Sequence, residues 1–172
     1  KGLANLRSME DAAELAAVEA HLRLGQTERA RTMLTASTAV AEALANRPER
    51  IEAWRVGALV ARAEGARARA TQQLDLAQQM VDANGGNAHP FALGVALARS
   101  EMALEDRQPA LALEACEQAL AAARLWAIDK DRSIDVGRLL GLRARIHAAL
   151  GRDAASDADR RAASAHEGPP HG

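Results

Sequence analysis

The chain has 172 residues, of which 48% are hydrophobic and 2% aromatic, and its formal net charge is −1. This length accommodates one domain or a short array of stacked units. Scarce aromatic and β-branched residues argue against a fold based on sheets, and the near-neutral charge argues against attraction to nucleic acid or an anionic membrane. The single cysteine, Cys116, excludes a disulfide within one chain.

Eight amphipathic segments follow one another and are predicted to be α-helices in antiparallel pairs. Ser8 is expected to cap the first helix, which runs to about Leu24, and Thr27 to cap the second. Pro48 ends the second helix and suits the first position of a third, where its missing N–H costs nothing. The third helix reaches Gly65, and a fourth follows almost directly.

The middle of the chain is divided by glycine, proline and charged residues. The fourth helix is expected to end at Asn84–Gly86, since these residues tolerate the left-handed conformation of helix C-termini. A fifth helix begins after Pro90 and is interrupted near Arg107. Pro109 then starts a sixth, which runs to about Ala127.

The last pair is the least apolar part of the chain. Residues 129–132 are polar and predicted to form a loop, after which Ser133 caps a seventh helix that ends at Gly151. An eighth helix, over about residues 153–165, contains no large apolar residue and is expected to be a solvated cap. The tail, 167–172, is predicted to be disordered.

A recurring motif connects these helices. The turns at Gly25, Gly65, Arg107 and Gly151 are 40, 42 and 44 residues apart. At the first two turns the order is glycine, four residues, alanine, three residues, leucine, which suits a tight turn followed by a close helix crossing. The repetition favours a right-handed α-solenoid of about eight helices over a closed bundle. The predicted domain covers residues 1–166, with hairpins at about 9–46, 48–84, 88–127 and 133–165.

These motifs resemble the tetratricopeptide repeat, which has a large residue early in its first helix, a turn glycine, and a small residue followed by a large one in its second. The second copy matches at Trp54, Gly65, Ala70, Leu74 and Ala77. The third resembles the family over Ala112–Leu120 but has Arg107 at the turn, and the fourth has Ser156 at the small-residue position. The longer period resembles long-helix variants found in large bacterial signalling ATPases, transcription activators and kinases.

The resemblance implies a concave surface lined by the first helix of each hairpin. The predicted partner-binding residues are Leu15, Glu19, Leu22, Arg23, Arg55, Leu59, Arg62, Leu97, Glu101, Arg138 and Arg145. Their arginines are suited to carboxylates or phosphates and their leucines to an apolar side chain. The alternative is that these arginines form only the solvated face of amphipathic helices. The Lys and Asn clamp of chaperone-binding members is absent.

Candidate chemical groups have simpler structural interpretations. His21 and His147 are predicted to be packed histidines with a satisfied nitrogen, and Cys116 a buried inert thiol. The Asp129–Asp131 segment is interpreted as a turn, because a calcium loop would need a third acid and a glycine. We therefore expect neither catalysis nor a cofactor or metal.

The sequence predicts a protein-binding scaffold in a bacterial signalling or regulatory protein. Its partner would be a protein or peptide, with no nucleic acid or membrane partner, and its location the cytoplasm. The alternative is a regulatory or self-association segment that packs against another domain of a larger kinase, ATPase or transcription regulator. Because the sequence does not begin with Met, we expect it to be a piece of a longer protein.

Overall fold

The computed structural model describes the backbone of residues 2–42, 49–126 and 133–166, and the side chains of 13–35, 50–126 and 133–166. Within these ranges the chain has eight α-helices, one short 3-10 turn and no strand, so the predicted all-α class is confirmed. Three predicted features lie outside the described residues: the boundary at Pro48, the loop at 129–132 and the disordered tail.

The helices are α1 (Gly2–Arg23), α2 (Thr27–Glu42), α3 (Glu49–Ala63), α4 (Arg67–Ala83), α5 (Ala92–Glu105), α6 (Pro109–Trp126), α7 (Ile134–Ala149) and α8 (Asp153–His166), with the 3-10 turn at Gly86–Ala88. Each odd-numbered helix packs against the even-numbered helix that follows it. The expectation that Ser8 caps the first helix is wrong, because α1 begins at Gly2. The preceding leucines and alanine are good helix formers, so the helix continues past the local cap signal.

The chain divides into two compact units, Lys1–Ala83 and Asn84–Gly172. Unit 1 contains α1 to α4, and α3 contacts α1 and α2 as well as α4. Its core cluster is Leu15, Val18, Ala30, Ala53, Val56 and Val60. In unit 2, α7 contacts α5 and α6 as well as α8. Its core cluster is Ala96, Ala112, Cys116, Ala119, Leu120, Ala123, Val136, Leu139, Leu140, Leu142 and Ile146.

The four hairpin turns have the same backbone geometry. Gly25, Gly65 and Gly151 lie in the left-handed region, with φ of 71°, 76° and 69°. In all four turns the next residue donates its N–H to the carbonyl five residues earlier, at 2.8 or 2.9 Å. The left-handed residue itself donates to the carbonyl three residues earlier. These two bonds satisfy carbonyls that the end of a helix would otherwise leave unpaired, and they reverse the chain within few residues.

Arg107 occupies the third turn and adopts the same left-handed conformation, with φ of 58°. Pro109 begins α6, as the sequence predicts. The third turn therefore has no glycine, but an arginine keeps the left-handed geometry. Because Cβ makes this region unfavourable for a residue other than glycine, the surrounding hydrogen bonds must compensate for local strain.

Each hairpin has a buried pair of residues, one seven places before the left-handed residue and one five places after it. The pairs are Val18 with Ala30, Ala58 with Ala70, Ser100 with Ala112, and Ala144 with Ser156, all at most 2% exposed. In unit 2 the members of each pair touch, because Ser100 Oγ donates to the Ala112 carbonyl at 2.8 Å and Ser156 Oγ to the Ala144 carbonyl at 2.9 Å. The serine therefore lies on the first helix of one hairpin and on the second helix of the other, opposite an alanine in both.

The last helix, α8, packs against α7 without a large apolar side chain. Its buried residues are Ser156 and Asp159. Near its end it approaches α7 so closely that a Cβ added at Gly137 would lie 2.7 Å from the His166 Cβ. Most of its other residues are exposed, as expected for a solvated terminal helix.

Replacing Arg107 with glycine should raise the free energy of unfolding. The left-handed conformation costs a residue other than glycine about 1–2 kcal/mol, and part of that gain is offset because glycine makes the unfolded chain more flexible. We expect a net stabilisation of up to about 1 kcal/mol, measured by urea denaturation.

Two variants serve as controls for Arg107→Gly. Gly65→Ala should be destabilising although nothing lies within 4 Å of its added Cβ, because φ there is +76°. Gly141→Ala also has open space but lies within α7 without a positive φ, so it should be stabilising, by up to about 1 kcal/mol. If Arg107→Gly were as destabilising as a glycine placed inside a helix, the strain at this turn would be disproved.

Candidate functional site

A metal-binding cluster is absent from the described residues. Among them, no group of three or more His, Cys, Asp or Glu side chains is placed to hold a metal ion. Nor is any helix in these ranges long and apolar enough to cross a membrane. A depression of about 570 Å³, open to solvent, lies on one side of α4. Its lining residues are Ala68, Thr71, Gln72, Asp75, Leu76 and Gln79.

In unit 1 the predicted binding residues divide between the core and the surface. Leu15 has 5% of its surface exposed and lies in the core cluster, so it is a packing residue and is not accessible to a partner. Leu22 is half-buried and packs against the same cluster. Leu59 and Arg62 are also half-buried. The binding surface predicted on this unit is therefore less accessible than the sequence suggests.

Arg55 is the centre of an ionic cluster between α1 and α3. Its guanidinium bonds to Glu52, with Nε donating to Oε2 at 2.9 Å, and Nη2 donates to Glu19. Arg23 reaches the other oxygen of Glu19 at 3.7 Å. Burial alone would lower the pKa of Arg55, but the hydrogen bonds and charges of Glu52 and Glu19 raise it above its ordinary value. An arginine predicted to hold a partner's carboxylate is thus already held by two carboxylates of its own chain.

In unit 2 the predicted residues on α5 and α7 remain more exposed. Leu97 is half-buried against the core, and Glu101 lies 3.5 Å from Arg138, whose side chain is 57% exposed. Arg145 is exposed and forms no ion pair with any residue that the structure describes. Between the two arginines, Gly141 has nothing within 4 Å of the place where a Cβ would lie. This side of α7 therefore presents two cations on either side of an open gap.

Arg143 connects three helices, a role that is not among the predictions made from the sequence. Its Nε and Nη2 donate to the two carboxylate oxygens of Asp159 on α8 at 2.8 and 2.7 Å, and Nη1 donates to Glu117 on α6 at 2.8 Å. Asp159 is 7% exposed. The hydrogen bond to Asp159 raises the pKa of Arg143 above its ordinary value, against the lowering effect of burial. One signal was present: Arg143 and Asp159 lie eight residues on either side of Gly151, at positions that face each other.

The predicted histidine packing is only partly correct. His21 is half-buried and its Nδ1 lies 2.7 Å from Gln26 Oε1, so one nitrogen has a partner. His147 lies beside the Arg143 cluster, with Nε2 3.7 Å from Asp159 Oδ2. Its Nδ1 is buried and has no hydrogen-bond partner among the described residues, contrary to the expectation of a satisfied nitrogen.

Cys116 is a buried free cysteine, which confirms the predicted packing of its thiol. It lies on α6, and its Sγ donates to the Leu139 carbonyl on α7 at 3.6 Å. Burial raises the pKa of the Cys116 thiol to about 11. Because the thiolate is the reactive form, this side chain is a poor nucleophile near neutral pH.

The chain matches no family model, no curated protein and no solved structure. Its function must therefore be inferred from its own residues. Three features of the described residues could take part in binding a partner. They are the paired first helices of each unit, the exposed side of α7, and the polar contact between α7 and α8.

Replacing Arg55 with methionine should be strongly destabilising. The change removes the guanidinium shared by Glu19 and Glu52, each with about a fifth of its side chain exposed, although Glu19 keeps its 3.7 Å contact with Arg23. Breaking a buried ion pair costs about 3–5 kcal/mol, and we expect the lower end because these carboxylates are partly solvated. Urea denaturation measures the effect.

Arg31→Met is the matched control for Arg55→Met, since Arg31 also pairs with two glutamates but is 56% exposed. An exposed pair contributes about 0–1 kcal/mol, so this variant should change stability little. If both variants lowered the free energy of unfolding equally, the Arg55 cluster would contribute no more to stability than an exposed ion pair.

Stability should depend on Cys116 at alkaline pH. Folding raises the pKa of the thiol from 9.0 to about 11, so its contribution is fully present below pH 9 and is lost as the pH rises through 11. Between pH 8 and 10.5 the urea midpoint of the wild type should therefore fall more than that of Cys116→Ala. Parallel curves for the two proteins would contradict the raised pKa.

Proposed function

We propose that the chain is a protein-binding module of the tetratricopeptide type, with hairpins that are repeats of an α-solenoid. The first helices of the hairpins would form the binding surface. The resemblance of the motifs suggests a bacterial signalling or regulatory protein in the cytoplasm as the context, with a protein segment as partner.

One observation carries the proposal. In both units the first helices of successive hairpins contact each other, α1 with α3 and α5 with α7. In both, a glutamate of the earlier helix pairs with an arginine of the later one, Glu19 with Arg55 and Glu101 with Arg138. Neighbouring first helices thus form a continuous face in each unit, as a repeat-based binding surface requires.

The two faces differ in what they offer a partner. In unit 1 the cation Arg55 is enclosed by Glu19 and Glu52, so a ligand would have to displace carboxylates that are already bound. In unit 2 the longer contact of Arg138 and the exposed Arg145 leave charge accessible to water. Arginine binds carboxylates through two parallel hydrogen bonds, which suits recognition of an acidic side chain. We therefore place the main binding residues on α5 and α7.

A regulatory or self-association segment is the second candidate. Three large apolar side chains of unit 2 are exposed at the end of α6 and the start of α7: Leu125 by 62%, Trp126 by 55% and Ile134 by 80%. Burial of such residues against another domain or a second copy would be favourable. This observation favours packing at one end of the unit.

A photoreactive phenylalanine at position 141 should test the first-helix face in cells that contain the parent protein. The site has open space, so the side chain should be tolerated. We expect an adduct with a partner protein, and its yield should fall at least about tenfold in Arg138→Glu with Arg145→Glu, since rim charges govern encounter and register. Arg160→Glu with Arg161→Glu makes the same charge change on α8 and should leave the adduct intact.

The outcomes of this experiment separate the two candidates. An adduct that survives charge reversal at Arg138 and Arg145, or that forms equally from a photoreactive residue at position 158 on α8, would disprove binding at the α5 and α7 face. An adduct between two copies of this chain, lost in Trp126→Ser, would favour self-association instead.

A further inference from the structure

The contact between α7 and α8 differs from the other hairpin contacts in what it buries. The second helices of the two preceding hairpins bury apolar side chains. For α4 these are Ala70, Leu74, Ala77 and Val81, and for α6 they are Ala112, Ala115, Cys116, Ala119, Leu120, Ala122 and Ala123. The buried residues of α8 are Ser156 and Asp159. Since apolar burial is the main source of packing free energy and α8 contributes fewer buried apolar side chains, we expect α8 to be held less firmly than α4 or α6.

Polar contacts hold α8 in place. Asp159 accepts the paired hydrogen bonds of Arg143, and Ser156 donates to the Ala144 carbonyl. Two nitrogens at this contact, His147 Nδ1 and His166 Nδ1, are buried and have no hydrogen-bond partner among the described residues. Such atoms regain hydrogen bonds with water when a contact opens, so they favour release of the helix.

Release of α8 would not leave a bare charge on α7. Arg143 also donates to Glu117, whose side chain is 51% exposed on α6, and that bond does not involve α8. The penalty for breaking a buried ion pair comes mainly from the charge that loses its partner. Here the cation keeps one carboxylate, and Asp159 on the released helix is exposed to water.

We propose that α8 is an exchangeable helix, and that the face of α7 beneath it binds an amphipathic helix of a partner protein. Release of α8 would expose a face of α7 that includes Gly137, Ala144 and Arg143. Leu140, which is buried, lies on the same stripe between Gly137 and Ala144. The occupant is defined by the contacts of α8. It needs a small residue against Ala144, a carboxylate three residues later for Arg143, and a large apolar residue at the place of Ala163, which is half-buried against the core.

This proposal goes beyond the first-helix face, because it concerns the other side of α7. A partner helix with leucine in place of Ala163 would bury apolar area that α8 does not supply. It would also provide the carboxylate that Arg143 requires. Such a helix could therefore replace α8 although α8 has the advantage of being part of the same chain.

The probe is a synthetic peptide with the sequence of residues 153–166 and leucine at position 163, added to the full chain. We expect fluorescence anisotropy to show binding. Hydrogen exchange should show that the amides of α8 exchange faster than those of α6 before the peptide is added, and faster still after it binds. The amides of α7 should remain protected throughout.

One substitution should have opposite effects in the two molecules. Asp159→Asn in the chain weakens the resident helix and should raise the affinity for the peptide about tenfold, whereas the same change in the peptide should lower it by about as much, each a difference of about 1.4 kcal/mol. Asp157→Asn is the control, because Asp157 is 57% exposed and pairs only with Arg160 among the described residues. It should have no effect in either molecule.

Three results would overturn the proposal. The first is exchange of α8 amides only as fast as those of α6, which would mean that the helix is released only by unfolding of its surroundings. The second is a loss of peptide affinity when Asp159→Asn is made in the chain. The third is a dimer of the wild-type chain in which the α8 of each copy covers the α7 of the other, since a second copy and not a separate partner would then occupy this face.

Discussion

Each described hairpin buries two small residues, one seven places before the left-handed residue and one five places after it, and in unit 2 the two members touch. Side chains no larger than valine allow the two helices to approach there, and all eight residues are buried. The distance between them along the chain is fixed by the turn, whose two hydrogen bonds have nearly the same lengths in all four hairpins. Turn and contact therefore specify each other. A longer turn would move the small residues out of register, and a larger side chain would push the helices apart.

This constraint explains why an arginine can occupy a position that favours glycine. At Arg107 the backbone hydrogen bonds and the Ser100 and Ala112 contact define where the chain must reverse, and the residue at the turn has to conform. The same constraint explains why the serine lies on the first helix of one hairpin in unit 2 and on the second helix of the other. In the hairpins of unit 2 one alanine and one serine meet, and it does not matter which helix supplies the serine, because its hydroxyl bonds to the carbonyl opposite in both arrangements. Ser156 is therefore part of the pattern and not a departure from it.

Features set by local backbone geometry could be predicted from the sequence, and features set by long-range pairing could not. The four turn positions follow from glycine and from spacing, and Ala30 and Ala70 follow from the need for a small residue at a crossing. By contrast, nothing near Arg143 distinguishes an arginine in water from one enclosed by carboxylates on two other helices. At Arg55, Glu52 lies one turn earlier on the same helix, but the sequence does not reveal the second carboxylate, Glu19 on α1. The sequence predicts Leu15 on the binding surface, but it lies in the core cluster. The binding stripe and the core stripe of a helix with 3.6 residues per turn are separated by only a small rotation, so the sequence pattern does not distinguish them.

Within unit 2, ionic contacts differ in importance between α6 and α8. Where apolar side chains are plentiful, as in α6, ion pairs add little to a contact that apolar burial already stabilises. In α8 large apolar side chains are absent, so the paired hydrogen bonds from Arg143 to Asp159 do most to fix where the helix lies. Ionic contacts specify geometry well, but their net contribution to stability is small because desolvation opposes attraction. A helix positioned in this way is accurately placed and weakly held, and these are the two properties that exchange with a competing helix requires.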